Sequence, residues 1–145
     1  MVVTNAKIYK GAYPRYIMKP AIIADDEEAV RGLVRRVIGI VSPGREVDEV
    51  TNGKDLVEKV RTGNYAFAVT DHNMPQMSGL EAIAYIREFD KETPICICTA
   101  DSDKTEADNV GKEASRKGAN DYVNKNGDLV RNLMGVVRKY CETGR

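Results

Sequence analysis

The sequence has few of the residues that build disulfide frameworks or zinc sites, with three cysteines and one histidine among 145 residues. This set fits neither a disulfide-bonded scaffold nor a four-ligand zinc site. Cys96 and Cys98 lie in the short apolar run 94–99 (PICICT). We interpret them as free thiols packed as small apolar groups in a buried strand. A cytoplasmic location is expected from this cysteine usage.

Long apolar runs and an excess of one charge are also missing. Lysine and arginine interrupt the N-terminal residues so often that neither a signal peptide nor a membrane helix is expected there. The 22 basic residues balance the 22 acidic ones, so general attraction to nucleic acid is not expected, and we predict no nucleic-acid partner. The nucleotide-binding patterns GxGxxG and GxxxxGKS/T do not occur.

Short apolar runs alternate five times with amphipathic stretches, which is typical of an α/β protein with a parallel sheet. The second and fifth runs are the least apolar, so we expect them at the sheet edges. The predicted strands are 20–24, 46–50, 65–70, 94–99 and 120–124, and the predicted helices are 26–41, 53–62, 78–89, 103–117 and 127–142. We therefore predict a doubly wound (βα)5 domain over 20–142, after a basic N-terminal extension at 1–19 and before a short tail at 143–145.

The predicted fourth helix, 103–117, differs from the others in having little apolar surface. Its apolar stripe consists of Ala107, Val110 and Ala114, and Gly111 lies in the middle of it. A central glycine costs about 1 kcal/mol relative to alanine. We expect this helix to be the least stable element of the domain and to become ordered on phosphorylation or partner binding.

Acidic residues follow two strands that should be neighbours in the sheet. Asp25 and Asp26 follow the first strand, and Asp71 ends the third. The carboxyl ends of parallel strands share one edge, so three carboxylates would meet in one shallow pocket. Their mutual repulsion favours a bound cation, and an oxygen-only site with room for water suits Mg²⁺. Read alone, the run 25–28 (DDEE) is also typical of a helix N-terminus.

Two further strand ends add groups that suit phosphoryl transfer to a carboxylate. Thr99 ends the fourth strand and Lys125 follows the fifth. With a metal ion, Asp71 is a plausible nucleophile, while the Lys125 ammonium and the Thr99 hydroxyl could contact phosphoryl oxygens. Each residue alone has an ordinary structural explanation, but their joint position at one sheet edge favours an aspartyl-phosphate site.

Four runs of sequence, taken in order, resemble the receiver domains of two-component response regulators, and the second is especially similar to the chemotaxis type. They are IIADDEE (22–28), FAVTDHNMPQMSGLEAI (67–83), PICICTADS (94–102) and GANDYVNK (118–125). The resemblance covers roughly residues 20–142 and implies a flavodoxin-like sheet of order 2-1-3-4-5.

The resemblance also implies a role for each matching residue. Asp71 would be the phosphoacceptor and Lys125 the lysine of the site, while Thr99 and Tyr122 would form the conformational switch. Mg²⁺ would be bound by Asp26 and Asp71 through carboxylates, by Asp25 through water, and by the backbone carbonyl of Asn73. Asn73 and Asp101 would tune the access of water to the phosphoryl group.

Three positions depart from the pattern or lie beside it. Receivers usually have a cis-bonded proline after the lysine, whereas this chain has Asn126. A cis bond without proline costs about 2.5–4 kcal/mol, so a trans bond is expected. The stretch from Thr99 to Gly118 is about one helical turn longer than in the chemotaxis type. His72 is interpreted as a loop residue that faces solvent.

The resemblance implies a phosphorylation switch without other enzymatic activity. A sensor histidine kinase or phosphotransfer protein would supply the phosphoryl group, and the change would be transmitted on the face formed by the fourth helix, fifth strand and fifth helix. We expect a stand-alone receiver whose downstream target the sequence does not identify. Two alternatives stay open: the receiver part of a longer regulator or hybrid kinase, and a receiver-like binding module that is not phosphorylated.

Overall fold

The computed structural model describes residues 18–100 and 104–143, apart from the side chains of Lys104, Ala107 and Thr143. Five strands alternate with five helices. Their bounds are β1 Ala21–Ala24, α1 Glu28–Val41, β2 Val47–Val50, α2 Gly53–Thr62, β3 Phe67–Asp71, α3 Gly79–Phe89, β4 Ile95–Thr99, α4 Lys104–Lys117, β5 Asp121–Asn124 and α5 Leu129–Thr143. All ten predicted elements are confirmed, and their ends differ from the predicted ones by no more than two residues.

The five strands form one parallel sheet in the order β2-β1-β3-β4-β5, which confirms the predicted fold class. The two weakly apolar strands, β2 and β5, lie at its edges as expected. β1 pairs with β3, and Ala24 lies opposite Thr70. This pairing brings the acids that follow β1 beside the acid that ends β3.

Helices cover both faces of the sheet. α1 and α5 pack on one face around Phe67 and Val69, whereas α2, α3 and α4 pack on the other around Ile22 and Ile97. Every residue of β1, β3 and β4 is buried, as expected for strands covered on both sides. Cys96 and Cys98 are buried free thiols within β4, which confirms their interpretation as core residues.

The start of α3 is fixed by its own sequence close to the end of β3. The Ser78 hydroxyl accepts a hydrogen bond from the backbone N–H of Glu81 at 3.2 Å, and the Glu81 carboxylate lies 3.2 Å from the same hydroxyl. Such a cap satisfies N–H groups that have no partner within the helix. It ends the loop after Asp71 at a fixed residue.

The fourth helix forms as a 14-residue element, Lys104–Lys117. Within it Ala114 is fully buried and Val110 is half-buried, as predicted for two of the three residues of the stripe, whereas the side chain of Ala107 lies outside the described part of the chain. Its low stability stays a prediction. Over the described ranges, no helix has both the length and the apolar character needed to cross a membrane.

Candidate functional site

Three carboxylates meet at the carboxyl edge of the sheet. Asp25 and Asp26 directly follow β1, Asp71 is the last residue of β3, and one oxygen from each lies within 4.8 Å of the others. The exposed fraction is 3% for Asp25 and 6% for Asp71, whereas Asp26 is exposed to solvent. The predicted acidic cluster therefore consists of two buried acids and one exposed acid.

Lys125 extends its ammonium group between the two buried acids. Its Nζ lies 2.8 Å from Asp25 Oδ2 and 3.0 Å from Asp71 Oδ1. The backbone N–H of Lys125 also donates to the carbonyl of Thr99 at 2.7 Å, which continues the pairing of β4 with β5. The Lys125 ammonium thus contacts two of the three carboxylates. The described cluster therefore carries more carboxylate groups than ammonium groups.

Burial and charge shift the pKa values of this pair. Burial raises the pKa of Asp71 above its ordinary value, and the lowering effect of Lys125 is too small to reverse that shift. For Lys125, burial alone would lower the pKa, but the hydrogen bonds and negative charges of Asp25 and Asp71 raise it. Lys125 therefore stays protonated, while Asp71 holds its proton more tightly than an exposed aspartate would.

Local hydrogen bonds orient the two buried carboxylates. The backbone N–H of Glu27 donates to Asp25 Oδ1 at 2.9 Å, and that of His72 donates to Asp71 Oδ1 at 2.8 Å. Asp25 thus orients the residue before α1 and also contacts Lys125. The helix-start interpretation of the DDEE run is confirmed only in part, because Glu28 lies in the first turn of α1 but no side chain caps the helix. Each carboxylate is held by the backbone that follows it.

Gly79 allows α3 to approach the site closely. Its N–H donates to the carbonyl of His72 at 2.8 Å. An added Cβ at Gly79 would lie 2.1 Å from the carbonyl oxygen of Asp71, so no side chain fits there without moving the end of β3. The glycine of the MSG motif therefore sets how tightly the loop from Asp71 to α3 can close.

The predicted switch residues lie on the two adjacent strands β4 and β5. Thr99 ends β4 and is fully buried, and Tyr122 in β5 is half-buried. Thr99 is opposite Asn124 and Ile97 is opposite Tyr122. Alternate residues of a strand share a face, so Thr99 and Tyr122 are diagonal neighbours on the same face. The Tyr122 ring also lies against α4, where it faces the backbone of Gly111.

Comparison with known proteins identifies the family. A family model described as the response regulator receiver domain matches residues 21–136.

The chain belongs to this family.

Relatives and solved structures agree with this assignment. The Staphylococcus aureus transcriptional regulatory protein SrrA is 33% identical over 104 residues, which are 72% of this chain and 40% of that protein. The Francisella response regulator 1452 receiver domain superposes with a TM-score of 0.73 at 20% identity, covering 88% of this chain and 99% of the other. Chemotaxis response regulator CheY4 of Vibrio cholerae gives a TM-score of 0.70 at 22% identity, covering 85% and 98%. The two structures support the fold, and the chain spans 40% of the length of its curated relative SrrA.

Three further residues that the sequence analysis considered lie close in the chain to residues of the site. Asn73 is exposed in the loop after β3, two residues beyond Asp71. Asp101 lies outside the described residues. His72 was expected to face solvent, but it is half-buried, and its Nδ1 is shielded from solvent without a hydrogen-bond partner among the described residues. The expectation that His72 faces solvent was therefore wrong. The start of α3 packs against the backbone of this residue, since the N–H of Gly79 donates to the His72 carbonyl at 2.8 Å.

Two residues make contacts near the site that the sequence did not predict. Arg31 donates from Nη1 to the carbonyl of Asp25 at 2.9 Å and from Nε to the Glu49 carboxylate at 3.3 Å, which ties the end of β1 to α1 and β2. The feature of the sequence that could have indicated this contact is the position of Arg31 in the first turn of α1, close to the end of β1. Asn126 donates from Nδ2 to the carbonyl of Ala100 at 2.9 Å. The sequence shows that asparagine replaces the usual proline here. It does not show the hydrogen-bond partner, because that contact requires the loop after β5 to meet the loop after β4.

The donor set fits a hard divalent cation. Among the residues that the structure describes, the cluster consists of three carboxylates without a sulfur or imidazole ligand, and Asp26 is exposed to solvent. Mg²⁺ prefers oxygen ligands and keeps several waters, whereas zinc sites in proteins favour nitrogen and sulfur. The acidic group of this receiver domain therefore has the chemistry of a magnesium site.

Proposed function

We propose that this receiver domain accepts a phosphoryl group on Asp71 from a histidine kinase or a phosphotransfer protein. The observation that carries the proposal is the position of the Asp71 carboxylate, beside two further carboxylates and 3.0 Å from the Lys125 ammonium. Such a set supplies a nucleophilic oxygen, a metal site and a fixed positive charge in one pocket. We propose no enzymatic activity beyond phosphorylation and dephosphorylation of the domain itself.

Magnesium is the proposed cofactor of the site. Asp26 and Asp71 would hold it through their carboxylates, Asp25 through a water molecule, and Asn73 through its backbone carbonyl. Once bound, the ion would neutralise negative charge on the phosphoryl oxygens. Lys125 supplies the second positive charge, and the backbone N–H of His72 holds the Asp71 carboxylate in a fixed orientation.

The proposed signal passes from Thr99 to the surface formed by α4, β5 and α5. Thr99 would donate its hydroxyl to a phosphoryl oxygen, and Tyr122 would move inward as Thr99 moves. Support comes from their placement as diagonal neighbours on the sheet face that α4 covers. Since the Tyr122 ring contacts α4, a change in the ring position would alter the contact between α4 and the sheet.

A second candidate is that the chain serves as the receiver portion of a longer regulator. The observation that favours it is that the chain matches 40% of SrrA, whose name describes a transcriptional regulatory protein. Its output would then depend on a further domain. A receiver-like binding module without phosphorylation is the remaining alternative, and a phosphorylation assay separates it from the other two.

The test is phosphorylation by acetyl phosphate in the presence of Mg²⁺, followed by intact mass. We expect the mass to increase by one phosphoryl group, and the increase to vanish in Asp71→Asn and when EDTA removes the metal. Asp108→Asn is the matched control, because Asp108 is an exposed acid on α4, and it should gain the same mass as the wild-type protein. An equal mass gain in Asp71→Asn would overturn the assignment of the phosphoacceptor.

A further inference from the structure

Asn126 connects the loop after β5 to the loop after β4. Its Nδ2 donates to the carbonyl oxygen of Ala100 at 2.9 Å, and Ala100 directly follows Thr99. A carbonyl oxygen only accepts hydrogen bonds, so the amide nitrogen of Asn126 is the atom that must face it. The proline usual at this position has no side-chain donor and could not make this contact.

The Asn126–Ala100 hydrogen bond extends a set of contacts that begins at Asp71. Lys125 contacts Asp71 through Nζ at 3.0 Å and Thr99 through its backbone N–H at 2.7 Å. The next residue, Asn126, holds the next carbonyl, that of Ala100. Two consecutive residues of one loop therefore hold two consecutive carbonyls at the end of β4.

The backbone around Asn126 is itself held in place. The side-chain Oδ1 of Asn124 accepts from the backbone N–H of Asn126 at 2.9 Å, and the carbonyl of Asn124 accepts from the N–H of Gly127 at 3.2 Å. Asparagine side chains commonly stabilise turns in this way. The Asn126 amide is thus presented to Ala100 by an ordered turn, which lowers the entropy lost in making the bond.

We propose that Asn126 is a positioning residue that stabilises the unphosphorylated arrangement of the Thr99–Ala100 segment. The inference rests on the proposed function, in which Thr99 moves toward the phosphoryl group. That movement carries Ala100 with it and lengthens the Asn126–Ala100 hydrogen bond, so the bond opposes the change. Removing it increases the fraction of molecules that are ready to accept the phosphoryl group.

The expected effect is moderate because the bond joins neutral groups and Asn126 is exposed. Losing such a hydrogen bond shifts an equilibrium by a factor of about 2 to 10. Asn126→Ala should therefore be phosphorylated by acetyl phosphate about 2 to 10 times faster than the wild-type protein. Asn126→Gln keeps an amide donor and should restore part of the wild-type rate.

The experiment measures the rate of mass gain with acetyl phosphate and Mg²⁺ for the wild-type protein and three variants. Asn64→Ala is the matched control. Asn64 is exposed in the loop before the amino end of β3, whereas Asp71 lies at the carboxyl end of this strand. Its rate should equal that of the wild-type protein. A purely structural role for Asn126 would lower the thermal midpoint without increasing the rate of phosphorylation.

The outcomes separate this inference from the proposed function. If the wild-type protein gains no phosphoryl group, the proposed function fails and the inference fails with it. If the wild-type protein is phosphorylated but Asn126→Ala reacts at the same rate or more slowly, only the inference is overturned. Faster phosphorylation in Asn126→Ala, with recovery toward the wild-type rate in Asn126→Gln, supports it.

Discussion

At the scale of single residues, the described part of the site places three carboxylates around a single ammonium group. Lys125 contacts Asp25 and Asp71, while Asp26 adds a third carboxylate within 4.8 Å. Burial raises the pKa of Asp71 further. Without a metal ion, an ionised Asp71 therefore lowers the stability of the fold, in keeping with sites that trade stability for function.

Replacing Asp71 by asparagine should stabilise the metal-free protein at neutral pH. Since the folded-state pKa of Asp71 lies above its ordinary value of 3.8, the folded protein binds this proton more tightly than the unfolded chain. Stability then falls as pH rises from the ordinary value through the folded-state pKa. Asp71→Asn removes this loss and should raise the free energy of unfolding at pH 7 by about 1 kcal/mol. Urea denaturation between pH 4 and 7 with EDTA measures it.

Asp90 at the end of α3 provides a control of opposite sign. Burial alone would raise the pKa of Asp90, but hydrogen bonds from Thr93 and from the Glu92 N–H lower it. Its contribution to stability is therefore present above the ordinary pKa and lost as pH falls through the folded-state value. Asp90→Asn should destabilise the protein by about 1–3 kcal/mol at pH 7. Destabilisation by both variants would contradict the charge argument for Asp71.

The acids of the site could be predicted from sequence, whereas the contacts that orient them could not. Asp25 follows β1 and Asp71 ends the neighbouring parallel strand β3, and strand pattern alone places such residues together. The salt bridge between Lys125 and Asp25 joins residues 100 positions apart, and its distance depends on the path of the loop after β5. The trans bond after Lys125 was expected, and the described residues contain no cis peptide bond.

At the scale of elements, helix propensity explains only part of the role of Gly111 in α4. The sequence identifies Gly111 as a residue that weakens the helix. The structure supplies its packing context: a Cβ at this position would lie 2.9 Å from Cγ and Cδ1 of the Tyr122 ring. The glycine makes room for the ring, and only the packing of α4 on β5 reveals this.

Gly111→Ala should therefore destabilise the protein although alanine favours helices. Its Cβ would displace the Tyr122 ring near its attachment to the main chain, at a cost of about 1–3 kcal/mol. At Gly39 in α1 a Cβ would meet no atom within 4 Å, so Gly39→Ala should instead stabilise the protein by about 0.5–1 kcal/mol. Thermal denaturation of both variants measures the difference.

A double variant identifies the ring as the cause. In a Tyr122→Ala background, Gly111→Ala should no longer be destabilising, which gives a coupling energy of about 0.5–3 kcal/mol between the two positions. If Gly111→Ala has the same effect with and without the ring, the contact with Tyr122 does not explain the glycine. Such a result would also remove the support that this contact gives to a signal passing from Tyr122 to α4.

At the scale of the whole molecule, the ten elements and both edge strands follow from the spacing of apolar residues. Periodicity places strands and helices because burial on both faces of a parallel sheet leaves few alternatives. It does not specify how a helix end approaches a strand end. An added Cβ at Gly79 would lie 2.1 Å from the carbonyl oxygen of Asp71, and this close approach, which excludes a side chain there, depends on the complete fold.

Magnesium should therefore stabilise the whole domain and not only the pocket. Its proposed ligands lie at the carboxyl ends of the neighbouring strands β1 and β3, and the unfolded chain does not bring them together. Binding to the folded state alone would add about 2.7 kcal/mol when the free ion is at 100 times its dissociation constant. Thermal midpoints measured with MgCl₂, against NaCl of equal ionic strength, should show the increase in the wild-type protein and a much smaller one in Asp26→Asn. Equal increases in both proteins, or an increase matched by NaCl, would mean that the three carboxylates do not form the proposed magnesium site.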